Sequence, residues 1–374
     1  MAKGLGTTLT KIPTSSITDS TIGLTNLVTT GTASSSTFLK GDLSWAAVAV
    51  EGKVNTAASD PDPGVAGDIW YTGGKFKFAV EHSGITGVWT TANNTGTGGH
   101  KTNGCGSQGN ALQVCAENVA GNASINTCQA FNGVTWRNVA DMIGSSGGRT
   151  NVACAGTATA CHAAGGCTAA GPPNWTTSAD FDGAAWSAGP TTVTRYQAGC
   201  GGIQSNCIFV SAKGSMEVQT YNGTAYTTVA DYPIGASGAY LHGCGVSGDD
   251  AMCFAGYVSN GGWSNRYNAY KWDSSAWAAI ASYPTRYANG GNGVGTTSAG
   301  MGISGVNQDG SNFLCYSYDG TSWAAEASVS DDRFDQVNAG SISAAVTAMG
   351  SNSGNSQTSC ETFDKPSLTF IGVT

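Results

Sequence analysis

The sequence is short of charge. Only 11% of its 374 residues are Asp, Glu, Lys or Arg, and 16 basic residues stand against 24 acidic ones, a formal net charge of -8. Neutralising a phosphate backbone needs a clustered basic face, so nucleic acid is not an expected partner. Long apolar runs are missing as well. No stretch of roughly 18 apolar residues occurs, so membrane insertion is not expected, and the start MAKGLGTTLTKIPTSS lacks the apolar core of a secretory signal. Histidine is scarce, at 4 residues, and Walker-type loops, nucleophile elbows and CxxC pairs are absent. No metal, cofactor or catalytic residue is expected from that inventory.

What the chain has is glycine and aromatics: 55 Gly, 10 Trp, 13 Tyr and 11 Phe, with Thr, Ser, Ala and Asn filling much of the rest. Large apolar groups with frequent turn formers describe an all-β protein rather than a disordered one. A short motif recurs: FNGVTW ending at Trp136, FDGAAW at Trp186, YNGTAY at Tyr226, WDSSAW at Trp277, YDGTSW at Trp323 and a looser FDKPSLTF at Phe370. The mean interval is about 47 residues. Each copy has an aromatic closing one strand, a two-residue Asn-Gly, Asp-Gly or Asp-Ser turn, and a strand opened by an aromatic. A second marker keeps the same period, with Arg149, Arg195, Arg286 and Arg333 leading the segments RTNVACAG, RYQAGCGG, RYANGGNG and RFDQVNAG.

Four short strands per unit is the pattern of a propeller blade, and one blade cannot bury both its faces alone. The expected fold is therefore all-β, a six-bladed propeller over residues 98–374 in which the last unit owns all four of its strands. A seventh blade stays open, because Trp89 lies in register before Trp136. Residues 1–59, rich in Ser and Thr, read as an extended segment for anchoring or oligomerisation. Residues 60–97 read as a small hairpin region, with Gly73-Gly74 at the turn of GDIWYTGGKFKF and a strand around Trp89.

Twelve cysteines need an account. Cys105 and Cys115, Cys154 and Cys161, Cys200 and Cys207, and Cys244 and Cys253 lie in pairs separated by Gly-, Ser- and Asn-rich residues. That spacing suits facing positions on two arms of a hairpin, so four disulfides are the expectation, ahead of free buried thiols and of zinc. Cys128, Cys167, Cys315 and Cys360 have no such neighbour.

The repeat resembles kelch blades in the Arg after a turn (YPTRYANGG), the glycine doublets CGG and NGG, and the spaced aromatic pair. It departs from them in its cysteine pairs. GTASSSTFLKGDLSW at Gly31 to Trp45, the threonine-rich ITDSTIGLTNL before it, and GDIWYTGGKFKF resemble segments of bacteriophage tail-fibre and virion proteins. The turns YNGTAY and YDGTSW resemble the NGTSW-type turns of kelch-like arrays in marine phage structural proteins. These resemblances imply a non-enzymatic virion protein, assembled in the host cytoplasm and exposed on the released particle, most simply a tail fibre. Residues 1–97 would join other virion proteins or identical chains, a trimer being favoured, and the propeller would bind a host surface glycan or protein. A capsid decoration or neck protein without a ligand, and a polysaccharide depolymerase, are the alternatives.

Two sets of residues are candidate ligand contacts. The four arginines Arg149, Arg195, Arg286 and Arg333 would clamp an acidic sugar if they converge, although a residue repeated in every blade is more simply part of the blade. Trp263, in the insertion SNGGWSNRY, offers an aromatic face for a sugar ring. The turn acids Asp182, Asp273 and Asp319 are expected to cap hairpins rather than catalyse.

Overall fold

The computed structural model describes residues 87–118, 123–144, 147–168, 175–193, 198–212, 215–234, 241–259, 267–285, 292–307, 314–352 and 355–365, with short strands at 37–39, 45–47, 55–56, 69–72, 75–80, 238–239, 263–265, 287–288 and 369–373. Every regular element described is a strand, and no helix long and apolar enough to cross a membrane is among the described residues. The chain forms two compact units, one of residues 86–365 and one of residues 1–85 with 366–374.

The larger unit is a six-bladed propeller of four-stranded antiparallel sheets. The first blade runs outward through Asn103–Ser107, Asn110–Val114, Gln129–Phe131 and Trp136–Asn138. The second, third, fourth and fifth repeat that order from Ala153–Thr157, Gly199–Ile203, His242–Ser247 and Val294–Gly295 as innermost strands. The sixth begins at Val337–Gly340 and differs at its rim. Its outermost strand is Val88–Ala92, paired with Cys360–Asp364 in the register Phe363↔Trp89. The last unit thus does not own four strands, and Trp89 belongs to no seventh blade. Joining the first strand to the last blade closes the ring and leaves no unpaired sheet edge between them.

The aromatic motif sets the rim of every blade. Phe131–Trp136, Phe181–Trp186, Tyr221–Tyr226, Trp272–Trp277, Tyr318–Trp323 and Trp89–Phe363 sit at ring separations of 5.0 to 5.4 Å. Four of the outer tryptophans also donate Nε1–H to the previous blade: Trp186 to Ala140, Trp277 to Ala230, Trp323 to Ala281 and Trp89 to Ala327, at 2.8 to 3.0 Å. Phe370, read from sequence as a sixth copy, lies instead on Thr369–Val373, which pairs with Lys75–Val80 in the smaller unit. There the expected hairpin is present, with Thr72 opposite Lys75 across Gly73-Gly74.

The turn is wider than the two residues expected. Phe131 pairs with Trp136, so four residues connect the strands, and only the second, Gly133 at φ 88°, is left-handed. Asn132 keeps negative φ and works through its side chain, whose Oδ1 accepts the backbone N–H groups of Val134 and Thr135 at 3.0 and 2.7 Å. Asp182, Asn222, Asp273 and Asp319 repeat this pair of bonds. Their acceptance of two N–H groups holds the three aspartates below the usual carboxylate range.

The core is divided among the six seams between blades. Leu112, Val114, Met142 and Phe181 fill the first, and Ile208, Val218, Leu241 and Trp272 fill the seam between the third and fourth. At the axis the inner strands approach too closely for side chains: a Cβ on Gly243 would lie 2.4 Å from the nitrogen of Cys200. Each inner strand also ends at one left-handed glycine, Gly106, Gly156, Gly202, Gly245, Gly295 and Gly340. A Cβ at Gly156 would meet the carbonyl of Ala160 at 2.1 Å, so the residue type is fixed by the backbone.

Candidate functional site

Antiparallel strand order gives the propeller two unlike poles. At one, the connections from first to second strand and, in the first five blades, from third to fourth are short and nearly constant, as in Gln108–Gly109, Ala158–Thr159 and Gln204–Ser205. At the other, the connections from second to third strand span 115–128, 165–177, 213–214, 255–268, 304–314 and 349–359. Four of these carry small sheets of their own: Ala116–Asn118 with Ala123–Ile125, Tyr257–Ser259 with Trp263–Asn265 and Gly238–Ala239, Val306–Asn307 with Tyr287–Ala288, and Ser351–Asn352 with Asn355–Ser356. Loops that vary on a rigid scaffold are where a propeller places recognition. Tyr267, 45% exposed, stands on this variable pole.

The axis itself is narrow. A cavity of about 120 Å³ is lined by the inner strands of all six blades, including Cys105, Cys154, Cys200, Cys244, Asn292 and Asn338. Asn292 of the fifth blade reaches across to the second and third, its Nδ2 donating to the Cys154 carbonyl at 3.2 Å and to the Cys200 sulfur at 2.7 Å. The Cys200 thiol donates to the same carbonyl at 2.9 Å, and Asn338 donates to the Asn292 carbonyl at 2.9 Å. Such a space takes a few waters and is well below the roughly 300 Å³ of a typical organic ligand site. Sugar recognition therefore has no place on the axis.

Arg149 and Arg333 are fully buried. Arg149 donates to the carbonyls of Gly165, Thr177 and Gly144 at 3.2, 3.3 and 2.9 Å and to the Thr177 hydroxyl, with Trp175 stacked 5.2 Å from its guanidinium. Arg333 pairs with Glu361 at 2.6 Å and donates to the Ser359 carbonyl at 3.0 Å. Arg333 ties the lead segment of its blade to the third strand through Glu361, and Arg149 ties its own to the connection leading into the third strand. The acidic-sugar clamp is corrected at these two positions, because each guanidinium commits its Nη donors to its own blade behind other residues. Arg195 and Arg286 lie outside the described residues, and of Trp263 only the strand is described.

The hairpin disulfides are also corrected: all twelve cysteines are buried and none is joined in a disulfide. Register explains why. The turn after Ile203 is Gln204–Ser205, so Cys207 faces Gly202 while Cys200 faces Phe209. Cys161 likewise faces Gly156 and Cys253 faces Gly243, and Cys115 lies beyond the last pair of its hairpin, Asn103↔Val114. Cys154 and Cys161, and Cys200 and Cys207, are therefore diagonal on one face, where positions are about 7–8 Å apart, while Cys244 and Cys253 fall on opposite faces of their hairpin. Cys161 instead lies within 4.8 Å of the sulfur of Cys105, from the preceding blade, as well as that of Cys154 in its own. Within Cys105, Cys154 and Cys161, hydrogen bonds from the other two thiols lower the Cys105 pKa, and burial raises that of Cys161.

Two polar groupings were not foreseen from sequence. Where the third blade has Tyr226 in place of tryptophan, its hydroxyl meets His162 Nε2 at 2.5 Å while His162 Nδ1 meets Asp180 at 2.8 Å. His162 is fully buried, and its bonds link Asp180 of the second blade to Tyr226 of the third across their seam. Where the sixth blade meets the first, Glu117 pairs with Lys101 at 2.7 Å and lies 3.7 Å from His100. Beside them Asp335 is pushed up to about 7 by burial, against the pull of Lys101. Two neighbouring carboxyls are a grouping that acid–base chemistry can use, but at 6% and 3% exposure neither Asp335 nor Glu117 flanks an open bond.

No protein-family model matches the chain, and no curated protein matches it. The variable pole is thus the candidate site on geometry alone.

Proposed function

We propose that the protein is a non-enzymatic virion component of a bacteriophage, a tail fibre or comparable appendage, whose propeller binds a host surface glycan through its variable pole. The contrast between the poles carries this reading, since one end of the ring varies in loop length and carries added hairpins while the other is nearly uniform. The phage-like segments at Gly31 to Trp45 and Gly67 to Phe78 support the origin and lie in the smaller unit, which is compact in its own right. That unit provides attachment to other virion proteins or to identical chains, a trimer being favoured. Aromatic faces such as Tyr267 stack on sugar rings, and the small axial cavity leaves the pole as the contact surface.

An array of bacterial surface polysaccharides, probed with the full-length chain, tests the reading. Binding should fall at least tenfold in Tyr267→Ala and stay unchanged in Val134→Asp, which alters an exposed residue of the opposite pole. Release of oligosaccharides would make the protein a depolymerase. Absence of binding, together with attachment of the chain to capsid, would make it cladding.

A further inference from the structure

The seam between the first and second blades gathers soft ligand atoms from three strands. The sulfurs of Cys105 on Asn103–Ser107, Cys154 on Ala153–Thr157 and Cys161 on Ala160–Ala164 all lie within 4.8 Å of one another. Their exposures are 7%, 1% and 0%, and Leu112, Ala163 and Phe181 belong to the same apolar cluster. Cys105 and Cys154 also form part of the axial cavity wall, whereas Cys161 closes the group from within the second blade.

Buried thiols often serve as small apolar fillers, so packing alone has to be weighed first. The repeat supplies that comparison. One residue before the left-handed glycine stand Cys105, Ala155, Gly201, Cys244, Val294 and Ala339; two before it stand Gly104, Cys154, Cys200, Gly243, Gly293 and Asn338. The blade accepts Gly, Ala, Val or Asn at these places, so packing does not require sulfur. Only at this seam do two such positions and a second-strand cysteine converge into a group of three ligand atoms among the described residues.

We propose that Cys105, Cys154 and Cys161 form a binding site for one soft divalent ion, Zn(II), held by three thiolates with its fourth position filled by a water from the axial cavity. Three thiolates at about 2.3 Å from one ion stand roughly 3.8 Å apart, so the observed group needs only a modest contraction. Charge selects the ion. Each thiol gives up its proton to solvent on binding, and the three thiolates with a divalent ion leave a single negative charge, whereas monovalent copper would leave two in a seam with little water. Zinc requires a fourth ligand, and the cavity beside Cys105 and Cys154 is of a size for water. The site joins two blades, so the ion would act on the ring as a clip between neighbours.

The test uses the reduced full-length chain without oxygen. Titration with Zn(II) against a chromophoric chelator should leave one equivalent bound per chain, and Co(II) in its place should give thiolate charge-transfer and tetrahedral d–d bands. Cys161→Ala should weaken zinc binding at least 100-fold and abolish those bands, while Cys315→Ala, between the fifth and sixth blades, should change neither. Thermal melting followed by circular dichroism reports folding of each variant and should rise with zinc only where the three cysteines are intact. X-ray absorption of the wild-type zinc form, which needs no variant, should show three sulfurs and one light atom around the ion. A wild-type chain that retains no zinc against the chelator, undiminished binding in Cys161→Ala, or fewer than three sulfurs around the ion would overturn the assignment.

Discussion

The two poles of the propeller are made from the same strands, yet their polar groups are handled in opposite ways. At the constant pole the acids are exposed and local: Asp182, Asp273 and Asp319 each accept the N–H groups two and three residues on. At the variable end stand buried ionisable groups, of which Arg333 on Glu361 and Arg149 on the carbonyls of its blade are partnered at a distance, while Asp335 and His242 are sealed from water. One pole specifies the repeat by short-range turn chemistry. The other holds the blade ends together by groups whose protonation and partners matter, which makes it the end where pH and substitution reach the whole ring.

The sharpest way to break this contrast is at the constant pole's backbone. Gly156→Ala places a Cβ where φ is 125° and the Ala160 carbonyl is 2.1 Å away, so the turn has to rebuild. A loss of about 4 kcal/mol or more is expected, read as failure to fold or a collapse of the urea midpoint.

Acid and alkali should instead act on the variable end. Asp335 has its folded pKa raised by burial to about 7, so its protonated form is favoured in the native state. Its contribution is fully present below the unfolded value and is lost as pH rises toward and through 7, a penalty of up to about 4 kcal/mol. Asp335→Asn should be the more stable chain at pH 8 and show little gain at pH 4. His242 runs the other way. Burial lowers it to about 4, and neither ring nitrogen has a partner among the described residues. Stability present above about 6.5 is lost as pH falls through 4, by about 3 kcal/mol. Asn103 and Asn292 hold the equivalent place in other blades, so His242→Asn should flatten the acid limb of a melting-temperature profile.

Arg333→Met tests the long-range partnership directly. Removing the cation leaves Glu361, 2% exposed, as an unpaired buried charge. The expected cost is about 3 kcal/mol at neutral pH, and Arg333→Met with Glu361→Gln should recover part of it in a double-mutant cycle.

The same contrast explains what could be read from the sequence. The period, the aromatic pairs and the turn acids were legible because each copy is local, with partners a few residues apart. Ring closure was not, since Trp89 and Phe363 lie at opposite ends of the propeller's sequence and nothing in either segment names the other. The cysteines misled for a related reason. Equal spacing about a Gly-rich turn looks like facing positions, but the turns sit off the expected centre, so Cys154 and Cys161, and Cys200 and Cys207, are displaced by two residues, Cys244 and Cys253 by one, and Cys105 and Cys115 by three. Contacts between blades, such as Cys105 with Cys154, and across the axis, such as Asn292 with Cys154, depend on ring geometry that a single repeat does not contain.

The smallest effect should come from the turn caps, and it carries the comparison to its limit. Asn132 and Asn222 each accept two backbone N–H groups at an exposed turn, where water replaces a lost acceptor. Alanine at either position should cost about 1 kcal/mol in chemical denaturation. The two sit in different blades with no shared partner, so the double variant should lose the sum of the two single losses. Strict additivity would mean that the constant pole is a set of independent copies. A double loss larger than the sum would mean that turns in separate blades are coupled through the closed ring, and the constant pole would then be as collective as the variable one.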